Sequence, residues 1–186
     1  MMNQINHVDI LVNSYGTPAG SSWKSIDNWD LEWEQNVLLG VKVTQALIDG
    51  MRAQKWGRVI FVGTVGVDRP RNHSPGYYGA KASLHALVRT LAMELQGTGV
   101  TANMFNPGMI ATEEVKAMLT KAAEKRSIPT DWENVEKWAS NEYFPNLTSS
   151  IATPEDIGRV VSFLSSVHSW YINGASIAVD GGSVDA

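Results

Sequence analysis

A tyrosine and a lysine four residues apart, Tyr77 and Lys81, are the pair in this 186-residue chain best suited to proton chemistry. They begin the segment SPGYYGAKASLHALVRTLAMEL, residues 74–95, in which Leu84, Leu87, Val88, Leu91 and Leu95 recur at helical spacing. On a helix that spacing puts phenol and ammonium on one face, a single turn apart. A positive charge there favours the phenolate and lowers a pKa that starts at about 10. Such a tyrosine can act as a general acid or base near neutral pH. Taken alone, the pair is a weak signal, because an aromatic anchor beside a solvated charge is the commoner role of such residues. Gly79, Ala80, Ala82 and Ala86 keep the same helix slim enough for another backbone to approach closely.

These side chains must be held by a fold, and the chain reads as alternating strands and helices. Val8 to Asn13 is a nearly continuous apolar run, as expected of a strand buried on both faces of a parallel sheet. A helical pattern follows from Trp29 to about Gln54, with Val37, Val41, Thr44 and Ile48 on one face. Val59 to Val62 and Val100 to Asn106 are further strands, the latter stopped by Pro107-Gly108. Helical pieces are expected from Glu113 to about Lys125 and around Trp132, Val135 and Trp138. Thr153-Pro154-Glu155-Asp156 is a helix start, and Ile157, Val160, Val161 and Leu164 give that helix a buried face. Ala175 to Val179 is the last strand. The pattern predicts one α/β domain over residues 1–186, built on a parallel sheet.

Composition removes several kinds of function. With 15 basic and 19 acidic side chains and no basic cluster, no nucleic-acid partner is expected. The absence of cysteine rules out disulfides, thiolate metal sites and a cysteine nucleophile. The histidines His7, His73, His85 and His168 fall in different elements without ligand spacing, so no catalytic metal is expected. No run approaches a membrane span and the polar start is unlike a signal peptide, which predicts a cytoplasmic protein.

Six segments, in order and spacing, resemble the short-chain dehydrogenase/reductase family. DILVNSYG is similar to the family's strand ending in Asn-Asn-Ala-Gly, with Asn13 and Gly16 kept and Ser14 and Tyr15 departing. Asn36 in EQNVLLG resembles the helix asparagine that holds a water in the family's proton relay. GRVIFVGT is similar to the strand carrying the catalytic serine, with Thr64 at that position, thirteen residues before Tyr77. Tyr77 and Lys81 supply Tyr-x-x-x-Lys. NPGMIAT resembles the nicotinamide-contacting segment, with Pro107, Gly108, Ile110 and Thr112 in matching places, and INGASIAVDGG resembles the last strand.

The resemblance implies a Rossmann-like doubly wound sheet of which the chain holds the C-terminal portion only, the family's strands 4–7 with flanking helices. It implies reversible hydride transfer between NAD or NADP and a carbonyl or secondary alcohol. Tyr77 would be the acid/base, Lys81 would lower its pKa and bond the nicotinamide ribose, Thr64 would orient the substrate oxygen, and Asn36 would hold a relay water. Asn13, Gly16, Tyr77, Lys81, Pro107, Gly108, Ile110 and Thr112 would face the cofactor. Residues 113–147 resemble the substrate lid, whose Trp132, Trp138, Tyr143 and Phe144 fit either an apolar or ring-containing substrate or simple packing of the lid. The helices spanning residues 29–54 and 78–95 would pair in a homo-oligomer. Two structural alternatives stay open: Thr64 as a plain strand-end hydroxyl, and Asn36 as a buried amide bonded to backbone.

The family's Gly-rich turn, which seats the cofactor pyrophosphate on a helix N-terminus, has no counterpart among these residues. An N-terminally truncated member is therefore expected, competent only when the nucleotide-binding half is supplied. The other expectation is an inactive remnant acting through subunit association.

Overall fold

The computed structural model describes residues 7–183, so most of the polar start and the last three residues lie outside it. The apolar runs become four parallel strands: β1 (Ile10–Asn13), β2 (Gly57–Val62), β3 (Val100–Pro107) and β4 (Ser176–Val179). They lie side by side in chain order, with Leu11 opposite Val59, Ile60 opposite Asn103 and Phe105 opposite Ile177. Between β1 and β2 run α1 (Trp29–Trp33), a π-helical turn (Glu34–Leu38) and α2 (Leu39–Gln54). The helix α3 (Pro75–Glu94) joins β2 to β3, while α4 (Glu113–Glu124), α5 (Trp132–Trp138) and α6 (Pro154–Ser165) lie between β3 and β4.

A parallel sheet needs cover on both faces, and strand alternation decides which side chains meet which helix. Val59, Phe61, Val100, Ala102 and Met104 pack on one side against Val37, Ile48 and Met51 and against Ala80, Leu84, Val88 and Leu95. Ile60 and Phe105 point the other way, onto Leu164 and the half-buried Ile157, Val160 and Val161 of α6. The chain is thus an α/β fold with helices on both faces, as the sequence predicts. Thr153 starts α6 with a reciprocal capping box to Asp156. A separate apolar cluster of Leu119, Ala123, Val135, Trp138 and Ala139 holds α4 and α5 together, so these helices carry a core of their own.

Two expectations about burial are corrected. Leu87 is 36% exposed rather than part of the buried stripe of α3. It lies at the rim of that stripe, where Ala80 and Ala92 contact the core instead. The first strand begins at Ile10, not Val8, and is not buried on both faces, with Ile10 42% exposed. The cause is its position: β1 pairs only with β2 and forms an edge of the sheet. Asp9 O accepts from Arg58 N, so the outward-facing backbone groups belong to the alternate residues Ile10 and Val12. An apolar edge of this kind is a template for another strand. A polypeptide of these 186 residues expressed by itself is expected to sediment as an oligomer, and Ile10→Pro to return it toward monomer. A monomeric parent would contradict this.

Candidate active site

Tyr77 and Lys81 sit in the first two turns of α3, which starts without a side-chain cap of its own. Ser74 before it adopts a left-handed conformation with φ 50°, and Pro75 occupies the first turn. The first turn of a helix leaves backbone N–H groups without partners. One of these, Gly76 N, donates across the fold to Ser21 Oγ at 2.9 Å. The start of the helix is therefore pinned by a loop far away in sequence.

The residues singled out from sequence gather at the C-terminal ends of the strands, around two adjoining cavities. Thr64, Tyr77, Pro107, Gly108, Ile110 and Thr112 line the larger, of about 940 Å³. Asn13, Asn36 and Lys81 line the smaller, of about 240 Å³. Gly16 belongs with the second group: a Cβ there would lie 2.5 Å from Asn36 Oδ1 and 2.8 Å from Lys81 Nζ. With φ at 144°, that backbone is itself one that favours glycine. Val62 borders the smaller cavity and Gly63 the larger, so the end of β2 separates them.

Each side chain has a local anchor. Asn13 Nδ2 donates to Thr44 Oγ1 at 3.3 Å, tying β1 to α2. Asn36 lies in the π-helical turn, a feature that often re-aims side chains at functional sites. Its Nδ2 donates to Glu32 O at 2.8 Å and Thr17 O at 3.1 Å. Its Oδ1 is buried and accepts nothing among the described residues, which leaves one acceptor free. Thr64 Oγ1 accepts from Gly66 N at 3.1 Å. Thr112 caps α4, its hydroxyl accepting from Val115 N at 3.3 Å. Gly108 N donates to Val179 O, and a Cβ at Gly108 would come within 3.0 Å of Asp180 Cα, so β3 and β4 approach closely here.

The electrostatics depart from the sequence expectation. Lys81 was expected to lower the pKa of Tyr77, yet burial of the phenol raises it. The Thr64 hydroxyl interacts with the phenol and works the other way, while the nearby Tyr78 and Glu32 add to the rise. Lys81 does not offset this because its ammonium is turned to the end of β2, donating to Val62 O at 2.9 Å. It is nearly fully buried, and desolvation brings its own pKa down to about 8.

The aromatic side chains between residues 113 and 147 divide. Trp138 is buried in the α4–α5 core with Trp132 packed against it, Phe144 lines the larger cavity, and Tyr143 does both, packing on that core and lining the cavity. The Arg71 guanidinium lies over the Phe144 ring at 4.3 Å and the Tyr143 ring at 5.4 Å, at the same wall. Among the described residues no group of acidic or histidine side chains could hold a metal ion, and no helix is long and apolar enough to cross a membrane.

Sequence reasoning missed Glu32, a fully buried carboxylate among these residues. Its signal was position: Glu32 precedes Asn36 by four and so shares its inward face.

Comparison with known proteins bears on the family and the fold. A family model described as enoyl-(acyl carrier protein) reductase matches residues 1–184. The acetoacetyl-CoA reductase of Cupriavidus necator is 29% identical over 184 residues, which cover 97% of this chain and 68% of the relative. The solved structure of an oxidoreductase of the short-chain dehydrogenase/reductase family from Burkholderia thailandensis superposes with a TM-score of 0.80 at 29% identity, over 97% of this chain and 66% of that one. L-sorbose reductase from Gluconobacter frateurii, solved with NADPH and L-sorbose, gives a TM-score of 0.86 at 27% identity, over 99% and 69%. The chain spans about two thirds of the length of these proteins. With its strand order, its paired Tyr77 and Lys81 and a family model matched along almost its whole length, the chain belongs to the short-chain dehydrogenase/reductase family.

Proposed function

We propose that these residues form the catalytic half of an NAD(P)-dependent oxidoreductase that interconverts a carbonyl and a secondary alcohol. The carrying observation is that Thr64 and Tyr77 share one cavity with Pro107 and Gly108 at the strand ends. Ligands of open α/β sheets bind at that edge. The residues present suit the nicotinamide end of such a cofactor: Gly16 leaves room beside Asn36 and Lys81, and Gly108 lies tight against Asp180. No residue here supplies the Gly-rich turn for the pyrophosphate, so activity depends on a nucleotide-binding half.

When bound, the nicotinamide supplies or accepts the hydride. Tyr77 Oη gives its proton to the carbonyl oxygen during reduction and takes it back during oxidation. Its raised pKa keeps the phenol protonated at neutral pH, the form that reduction needs. Thr64 Oγ1 holds the substrate oxygen beside that phenol. Lys81 Nζ would bond the nicotinamide ribose, and the free Asn36 Oδ1 would receive a water that passes the proton outward. Residues 113–147 act as the substrate lid, with Tyr143 and Phe144 presenting an apolar wall to the substrate. The exposed Leu38 and Leu39 beside α2 and Leu87 and Met93 on α3 support pairing of these helices between copies.

The test joins these residues to a nucleotide-binding half, native or grafted from a relative. NADH or NADPH oxidation is then followed with β-keto thioesters and with ketoses. Carbonyl-dependent oxidation is expected. Thr64→Val keeps the shape and removes one hydrogen bond, so about a tenfold loss of turnover should follow. No turnover with any carbonyl, while NADPH still raises the melting temperature, would refute the catalytic reading.

A further inference from the structure

We propose that Glu32 is a positioning residue for Tyr77, holding the start of α3 through Ser21. The inference rests on the reading of Tyr77 as the acid/base. Its observations lie outside the family pattern, in a carboxylate no part of that pattern calls for.

Glu32 is fully buried in α1, where an apolar side chain would pack at no desolvation cost. Its Oε1 accepts from Ala19 N at 2.9 Å and Ser21 N at 3.2 Å. Its Oε2 accepts from Ser21 Oγ at 2.6 Å, a short charge-assisted bond. The same Ser21 Oγ accepts from Gly76 N. A chain of two hydrogen bonds therefore runs from the backbone next to Tyr77 to the carboxylate. Contact is tight as well: a Cβ at Gly76 would lie 2.6 Å from Glu32 Oε2 and 2.9 Å from Ser21 Oγ. Through its carbonyl, Glu32 also fixes the Asn36 amide. One residue thus orients both the start of the catalytic helix and the relay asparagine.

Burial works against the charged form of Glu32. The bonds from Ser21, Ala19 and Gly20 outweigh it and hold its pKa below the ordinary carboxylate value. At neutral pH the group is ionised, and among the described residues no salt bridge compensates it. What balances it is backbone N–H groups and the positive end of α3. The titratable groups around Tyr77 are Lys81 and Tyr78 on α3, His73 against Tyr78, and Glu32 from α1, with Arg69, Arg71, Asp156 and Asp180 elsewhere around its cavity. Burial is the main cause that raises the phenol's pKa, and the Glu32 charge adds least to it.

The test titrates the Tyr77 phenol in the 186-residue chain by NMR of labelled tyrosine, without cofactor or substrate. Each protein is compared with its own Tyr77→Phe counterpart. Glu32→Gln keeps the size and removes the charge, so the phenol midpoint is expected to fall. Ser21→Ala keeps the charge and cuts the link, so the Gly76 amide is expected to exchange with solvent at least about tenfold faster. A Glu32→Gln protein that melts earlier but leaves the phenol midpoint in place would make Glu32 a structural cross-link only. An unchanged Gly76 amide in Ser21→Ala would overturn the positioning chain, even if Glu32→Gln failed to fold. Neither readout uses turnover, so an active Tyr77→Phe enzyme would sink the catalytic reading and leave this result standing.

Discussion

Tyr77→Phe in the enzyme completed with its nucleotide-binding half is expected to lower carbonyl reduction by ~100- to 10,000-fold, the usual worth of general acid–base catalysis. Phenylalanine keeps the ring and its edge-on packing against Tyr78, whose centroid lies 5.4 Å away. Only the transferable proton and the contact with Thr64 are lost. The helix bearing the residue is held by Ala80, Leu84 and Val88 in the core and by Ser21 at its start, so the fold should persist. Binding of NADPH, read by its fluorescence, is expected to survive while turnover collapses. That split separates a lost proton donor from a lost site. Less than a tenfold loss would place the proton transfer elsewhere.

Lys81→Met should stabilise the chain at neutral pH by roughly 2 kcal/mol while abolishing its chemistry. The unfolded chain keeps the Lys81 proton to about 10.5, but desolvation lets the folded one release it from about 8. That gap is worth roughly 3 kcal/mol against the folded state wherever the lysine is charged in both forms. The penalty is present in full below pH 8, and stability rises with pH from about 8 to 10.5 as the folded protein sheds the proton first. Methionine removes the charge and fills the same space. It gives up the bond from Nζ to Val62 O, which offsets about 1 kcal/mol of the gain. Denaturant unfolding at pH 7 and at pH 10 measures both terms. A variant no more stable than its parent at pH 7, with the parent's alkaline rise retained, would show that the lysine is not desolvated as described.

These two residues also mark where reading the sequence succeeded and where it stopped. Spacing along one helix made Tyr77 and Lys81 neighbours, because a four-residue step is nearly a full turn whatever surrounds it. The charge relation between them was not local. It depended on Lys81 turning toward Val62 at the end of β2 and on burial of the phenol. For the same reason the aromatics of residues 113–147 could not be sorted in advance. Trp138 and Phe144 have similar chemistry, and only the packing of α4 on α5 put one in a core and the other on a cavity wall.

By itself the sequence determined the alternation of strands and helices, the parallel sheet, and the order in which Thr64, Tyr77, Lys81 and the Pro107-Gly108 turn arrive at its edge. The elements rest on periodicity, turn residues and fixed spacings, all short-range, while the place of Thr64 rests on the resemblance to the family. The tertiary structure decided which polar groups would be buried together: Glu32 with Ser21 and Gly76, and Asn36 and Lys81 against Gly16. It also decided that Leu87 would lie at the exposed rim of the α3 stripe. Hydrogen-bond partners tens of residues apart leave no period in a sequence, and desolvation belongs to the assembled environment rather than to any residue in it.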